Sequence, residues 1–584
     1  MSALVARLRE RKLVQWALAY LAGAWLALQL LGLLRDQMGW PAATFRIGLV
    51  LLAVGFLATL VLAWYHGERG AQRVSGPELV MIGGILVIAG TAVALVRGRG
   101  EPAAVAAGAP GEAVASTEQA SLVVLPFADL SPGGDQEYFS DGMTEEILNA
   151  LAHVPGLRVP GRTTSFSFKG QNLAVAEIGK QLGVAHVLEG SVRKDGDKLR
   201  ITAQLIDART DTHLWSETYD RQLADVFAIQ EEISRAIVDQ LQLRLMGAQQ
   251  AALAKRPTED LEAYNLYLQG RSFYNRRVGD NLATAIAYFE RAVARDPKFA
   301  VAWGALAASH ALYPIFNAVP PAEHVRATKE NAAKALALDS TVAEAHRSLG
   351  YALTASAEDF PAAEREYEKA LALDPSSATS HSWHCLHLEW QGRNEEALRE
   401  CERAVELDPR DAVIQVVFGG LLAILHRYDE AEAAARRSLE LDPGYTNSRT
   451  SLINIYVASG RPQQAVDEAE LLLSLPGRPG SGTLAAAGSA FATAGDTARA
   501  RGMLRQLEGR AAAGEYGLPN PTAQLYGALG EQDRALALLD DMVARKAVYS
   551  AGGFSQPQWD PIRSDPRFQR ILTRLGVPAS PSAR

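Results

Sequence analysis

At 584 residues the chain is too long for one compact core, and about three or four folding units are expected. Its net charge of −8 is uneven: residues 1–100 carry ten Lys/Arg against four Asp/Glu, and the remainder carries 48 against 62. The acidic remainder argues against a nucleic-acid partner, which needs a basic face, and two cysteines cannot make a disulfide framework, so apolar burial must hold the fold.

Three apolar runs open the chain: Leu13–Leu34, Ile47–Tyr65 and Leu79–Val96. Each is near the roughly 20 residues that cross a bilayer core as a helix. Trp16, Trp25, Trp40, Trp64 and Tyr65 lie in or beside the runs, several near their ends, where amphipathic rings favour an interface. The first run is too long for a cleavable signal, and no small-x-small site follows it. Residues 1–97 are therefore expected to form a three-helix anchor in inner-membrane lipid. Arg7, Arg9, Arg11, Lys12, Arg69 and Arg73 outnumber Arg35, Arg46, Arg97 and Arg99 on the opposite loops. That bias predicts a cytoplasmic N-terminus, and three spans then place everything after Val96 in the periplasm. The abundance of Arg and Ala fits a GC-rich bacterial source. Residues 98–119, rich in Ala, Pro and Gly, read as a flexible linker.

Residues 120–247 read as a small mixed α/β domain. Ser121–Phe127 is a short apolar run, hence a buried strand. Phe139, Met143, Ile147, Leu148 and Leu151 recur at helical spacing. LRVPGR is a second strand, and Ala174–Leu182 a short helix. VLEGSVRK and KLRITAQLIDA flank Asp195-Gly196-Asp197, a strong hairpin signal. HLWSETYD is a further strand, with Trp215 and Tyr219 on one face, and Val226–Leu245 is a closing amphipathic helix.

The blocks VVLPFADLS, YFSDGMTEEILNALAHVPGLRV, LGVAHVLEGSVRK and LRITAQLIDARTDTHLWSETYDR together resemble the TolB N-terminal-like domain of bacterial membrane proteins that continue into tetratricopeptide repeats (TPRs). The resemblance covers about 125 residues in unbroken order, and LRERKLVQWALAYLAGAWLALQ resembles the membrane leader of such proteins. In that family the domain often follows a winged-helix DNA-binding or an adenylate-cyclase domain. Only twelve residues precede the first apolar run, so neither is expected here. Asp141, Glu145, Glu146, Asp207, Asp211 and His213 could be read as an acid/base or metal constellation. Helix N-terminal charge and turn chemistry account for them more simply, and the resemblance implies no catalysis.

Residues 260–546 carry an internal repeat. Pro375, Pro409 and Pro443 lie 34 residues apart, each closing a Leu-Asp-Pro, and 34 is the TPR period. Ala363, Ala397 and Ala431 fall in register, as do Ala370, Ala404 and Ser438, small residues that let paired helices approach. Weaker copies flank these three, giving about eight repeats that bury a continuous core. Residues 547–584 are expected to cap the array, with Phe568, Ile571, Leu572 and Leu575 on the apolar face of a helix. The fold class is thus multidomain: a three-helix transmembrane anchor, a small α/β domain and an all-α TPR solenoid.

The first helix of each repeat should line a concave face. Register places Arg347, Tyr351, Glu389, Trp390, Asn447, Thr450 and Asn454 there as candidate partner-binding residues, with an ordinary solvated inner face as the competing reading. The Lys/Asn pattern that clamps a peptide C-terminus in chaperone-type TPRs is not evident. His381, His384, Cys385 and Cys401 point into one seam. They could hold zinc, the cysteines could form a disulfide, or all four could be core residues, the last being favoured and no metal being assigned. G-x-x-x-x-G-K-[ST], H-E-x-x-H, G-x-S-x-G and C-x-x-C are all missing. The expectation is a non-catalytic, membrane-anchored scaffold without cofactor. It would bind protein or peptide partners through the TPR groove and the TolB-like module. The alternative is a sensory component that signals to a separate cytoplasmic effector.

Overall fold

The computed structural model describes residues 120–243, 250, 255–276, 280–317, 319–357, 359–545 and 554–577, all within one compact unit, Thr117–Arg584. The expected membrane spans and the linker 98–119 lie outside the described residues, as do 547–553 and 578–584 of the expected capping segment. Among the described residues no helix is long and apolar enough to cross a membrane. The longest, Ala300–Asn317 and Pro321–Leu338, have 18 residues each; their buried apolar positions pack on neighbouring helices, while Ile315, Phe316 and Leu338 are exposed. The expected fold class is corrected accordingly: the described residues form an α/β unit joined to a helical solenoid, with no three-helix anchor among them. The expected multi-pass inner-membrane location is corrected with it.

The α/β unit is built on strands β1 (Ala120–Val124), β2 (Ala128–Asp129), β3 (Leu157–Arg158), β4 (His186–Asp195), β5 (Lys198–Asp207) and β6 (Thr212–Gln222). Their order is β3-β1-β4-β5-β6, with β2 beside β4. β1 runs parallel to β3 and β4, and β4-β5-β6 is an antiparallel meander. Alternation sets the faces: Leu199, Ile201, Ala203 and Leu205 of β5 are buried, while Lys198 and Arg200 are exposed. The buried face is covered by α1 (Glu137–Ala152) and, after α2 (Arg162–Phe166) and α3 (Val175–Leu182), by α4 (Val226–Gln240). On the opposite face Ile178 of α3 joins Val123, Val187 and Ala208 in a smaller core.

Among the described residues, eight helical pairs follow. They are α5 (Leu261–Arg276) with α6 (Asn281–Arg295), α7 (Ala300–Asn317) with α8 (Pro321–Leu338), and α9 (Ala343–Ala355) with α10 (Phe360–Leu373). Next come α11 (Ala378–Trp390) with α12 (Asn394–Leu407), α13 (Ala412–Ile424) with α14 (Tyr428–Leu441), and α15 (Thr446–Ala458) with α16 (Pro462–Ser474). The last two are α17 (Ser481–Thr493) with α18 (Thr497–Ala512), and α19 (Pro519–Ala528) with α20 (Gln532–Ala544). The chemistry of each pair follows from the repeat. Ala363, Ala397 and Ala431 are fully buried, as are Ala370, Ala404 and Ser438. In the third pair a Cβ on Gly350 would stand 3.2 Å from the Ala363 carbonyl and the Tyr367 ring, a tight contact that glycine avoids. At each Leu-Asp-Pro the aspartate backbone N–H closes the second helix on Ala370, Ala404 or Ser438, and proline prevents its continuation. Pairs joined in this way form a TPR-like solenoid.

The carboxy-terminal segment 554–577 crosses the inner helices as a strap. It contains a 3₁₀ turn (Pro557–Trp559), α21 (Asp560–Arg563) and α22 (Pro566–Arg574). Phe554, Trp559 and Phe568 pack ring to ring at centroid distances of 6.0–6.2 Å, all fully buried.

A candidate partner-binding cleft

Two stretches of the solenoid's inner face are filled by the chain itself. At the first end, Leu268 of α5 packs over Gly142 of α1, and the Tyr138 hydroxyl donates to Asn265 Oδ1 at 2.8 Å. A buried ionic chain runs across this seam. Glu145 of α1 accepts from Arg162 Nε and Asn275 Nδ2, each at 3.0 Å, and pairs with Arg271. Arg271 pairs in turn with Glu344 (3.0 Å), and Glu344 with Arg347 (2.9 Å). Burial works against ionisation of Glu145, but the two arginines overcome it and hold its pKa at about 2. Glu145, simple helix charge by sequence, is the hub that ties the α/β unit to the solenoid.

A second seam joins α2 to the fourth pair. The Asp408 carboxylate accepts from the backbone N–H of Thr163 (3.1 Å) and Thr164 (2.7 Å), and the Gly161 N–H donates to the Leu407 carbonyl at 2.8 Å. Asp374 and Asp442, its equivalents one repeat away, receive N–H groups of their own turns from Ser376 and Gly444. The aspartate of one Leu-Asp-Pro thus caps a helix 245 residues away in sequence. Burial and the neighbouring Asp411 push its pKa up.

Farther along the inner face, at the fourth pair, the strap covers Glu389. Glu389 is 2% exposed, and its donors are Ser555 Oγ (2.9 Å) and Gln556 Nε2 (3.3 Å). Both are neutral, and among the described residues Glu389 makes no ion pair. Burial therefore pushes its pKa up to about 7. Arg563 holds the strap in this shape by donating to the carbonyls of Ser555 and Gln556, each at 3.0 Å.

Between these fillings lies a cavity of about 300 Å³ on α11, α13 and α15. Leu386, Val416, Val417 and Gly420 give it an apolar floor, Asn447, Thr450 and Asn454 a polar side, and Gln556 and Pro557 of the strap one wall; Glu389 also lines it. Of the candidates expected from register, Glu389, Asn447, Thr450 and Asn454 are brought together here. Arg347 and Tyr351 are not: both are buried against Trp383, at 5.1 and 4.8 Å, beside the α/β unit. Trp390 is 3% exposed and belongs to the same core as the sheet. Gln556 escapes sequence reasoning, because nothing local in the strap's sequence says which repeat it crosses.

The His/Cys cluster does not converge on one point. Cys385 of α11 and Cys401 of α12 are joined as a disulfide with Cα atoms 5.4 Å apart. His381 and His384 both turn to Glu400 Oε2, with Nδ1 at 2.6 and 3.6 Å, and the His384 ring also stacks on Tyr367 of the preceding pair, away from the disulfide. In the α/β unit Asp207 accepts from the N–H groups of Arg209 and Thr210, Asp141 pairs with Lys169, and His213 is exposed on β6. Among the described residues no group of three or more such side chains could hold a metal ion.

No protein-family model matches the chain. A curated protein of Rhizobium meliloti (strain 1021), named "Putative adenylate cyclase 3", is 38% identical over 206 residues, which is 35% of this chain and 35% of that protein. The chain therefore spans about a third of that relative's length. Among solved structures, TTC0263, a thermophilic TPR protein of Thermus thermophilus, is 21% identical; the match covers 32% of this chain and 95% of that one, with a TM-score of 0.28. YrrB, described as a TPR protein with an unusual peptide-binding site, is 23% identical over 32% of this chain and 90% of its own, with a TM-score of 0.24.

Proposed function

We propose that this chain is a non-catalytic scaffold that holds a segment of a partner protein in the cleft between α11, α13 and α15. The observation that supports it is the cleft itself: a stretch of the solenoid's inner face, apolar at its floor and lined with amide and hydroxyl groups, left open between the α/β unit and the strap. Amide and hydroxyl groups of Asn447, Thr450 and Asn454 suit the backbone of an extended peptide, and Val416 and Val417 suit its apolar side chains. The α/β unit is read, on its sequence blocks, as a TolB N-terminal-like module. It docks on α5 through Tyr138 and Glu145 and leaves the sheet face that bears Arg200 free for a second partner.

Filling the cleft tests this reading. Thr450→Trp should abolish capture of partner proteins while leaving the thermal transition within a few degrees of the parent. Undiminished capture would overturn it. The name of the Rhizobium relative raises nucleotide cyclisation as the rival, and cyclic AMP made from ATP by the purified chain would overturn the non-catalytic reading.

A further inference from the structure

We infer that the cleft selects a peptide carrying a lysine or arginine side chain, whose cation pairs with Glu389. The inference rests on the cleft reading above and adds the chemistry of the ligand.

An almost fully buried carboxylate is costly unless a cation or several strong donors answer it. Glu145 and Asp408, also buried, meet that rule: the first has two arginines, the second two backbone N–H groups at the start of α2. Less buried glutamates of the solenoid are answered too. Glu344 has Arg271 and Arg347, Glu432 has Arg436 and Arg461, and Glu468 has Arg449. Glu389 departs from this pattern. It is more deeply buried than Glu145, which is 6% exposed, yet it is met by one hydroxyl and one amide, both reaching the same oxygen, Oε1. Its side chain also lines an open cavity, so a cation brought from outside can reach it.

The surroundings narrow the ligand further. Leu386, Val416 and Val417 form an apolar bed beside the carboxylate, which suits the methylene stem of a long basic side chain. Asn447 and Asn454 stand on α15 within the same cavity, where they can meet the main chain on either side of that residue. At about 300 Å³ the cavity is at the small end of ligand sites, with room for one long side chain rather than a nucleotide or an aromatic cofactor. The strap stays in place: Phe554 and Trp559, on either side of Ser555 and Gln556, are each 1% exposed.

The test is calorimetric titration of the full chain with two blocked pentapeptides, Ala-Ala-Lys-Ala-Ala and Ala-Ala-Gln-Ala-Ala. The lysine peptide should bind at least about tenfold more tightly, the size of a charge-assisted over a neutral contact. E389Q should remove that preference while its circular dichroism and melting stay those of a folded protein. Asn447→Ala should weaken both peptides alike and keep the preference. Equal binding of the two peptides by the wild type, or a preference that survives in E389Q, would overturn the cation and leave the cleft reading standing. Binding of neither peptide would overturn both.

Discussion

Glu389→Gln should make the strap more stable at high pH and leave it unchanged at low pH. The carboxyl is buried by Ser555 and Gln556, and its pKa is pushed from 4.5 to about 7. When the strap opens, the group returns to water and to its ordinary value. A closed-state pKa above the open-state one means that the closed state holds the proton more tightly. The stabilisation is therefore complete below about pH 4.5 and is lost as pH rises through about 7. A shift of that size is worth about 3 kcal/mol, at about 1.4 kcal/mol per unit. Because the group is 2% exposed, no discount for solvent screening applies. Glutamine keeps an oxygen for the Ser555 hydroxyl and cannot ionise. At about pH 4 the two proteins should protect the Trp559 amide, which donates to the Gln556 carbonyl, equally against hydrogen exchange. At about pH 8 the variant should protect it more strongly, by up to about 3 kcal/mol of opening free energy. Equal weakening of protection at both pH values would refute the reasoning, because it would mean that Glu389 acts only by shape.

Other outcomes follow from the two seams and the fourth pair. A Cβ on Gly161 would stand 2.5 Å from the Asp408 carboxylate. Gly161→Ala should therefore loosen the α/β unit by about 1–3 kcal/mol, the usual cost of overpacking, read as a lowered thermal transition. Asp408→Ala removes both acceptors from the start of α2 and should cost about 1–2 kcal/mol in thermal unfolding. With Cys385 bonded to Cys401, alkylation of the denatured chain should label neither before reduction and both after it. Reduction should then cost about 3 kcal/mol for cysteines 16 residues apart. Affinity for the lysine peptide should rise between about pH 5 and about pH 7, as Glu389 loses its proton, and level off above; a flat profile would argue against Glu389 as the acceptor.

The elements that repeat or alternate are legible in the sequence. Ala363, Ala397 and Ala431 recur at the TPR period because each must sit where two helices cross, and all three are fully buried. The β4-β5 hairpin is legible from Asp195-Gly196-Asp197 and from the alternation of Leu199, Ile201, Ala203 and Leu205, and Tyr219 is buried on its strand. Docking at long range is not legible. The contacts of Glu145 with Arg271, of Asp408 with Thr164 and of Glu389 with Ser555 join residues 126, 244 and 166 positions apart. No local period encodes them. That is why Arg347 and Tyr351, which stand on the inner helix α9, are covered: register tells which way a side chain points and not what is packed on top of it. Register does suffice for the disulfide partners as neighbours, since Cys385 and Cys401 face each other across one helical pair; whether they bond depends on a separation that register does not give.

Entry of partner chains into the cleft at α15 is tested most directly by a photo-crosslinking residue at Thr450, compared with the same residue at the exposed Arg437 of α14. Adducts are expected at Thr450 that carry a partner peptide with a lysine or arginine, and that the lysine pentapeptide suppresses. Adducts formed at Arg437 and not at Thr450 would contradict the scaffold reading.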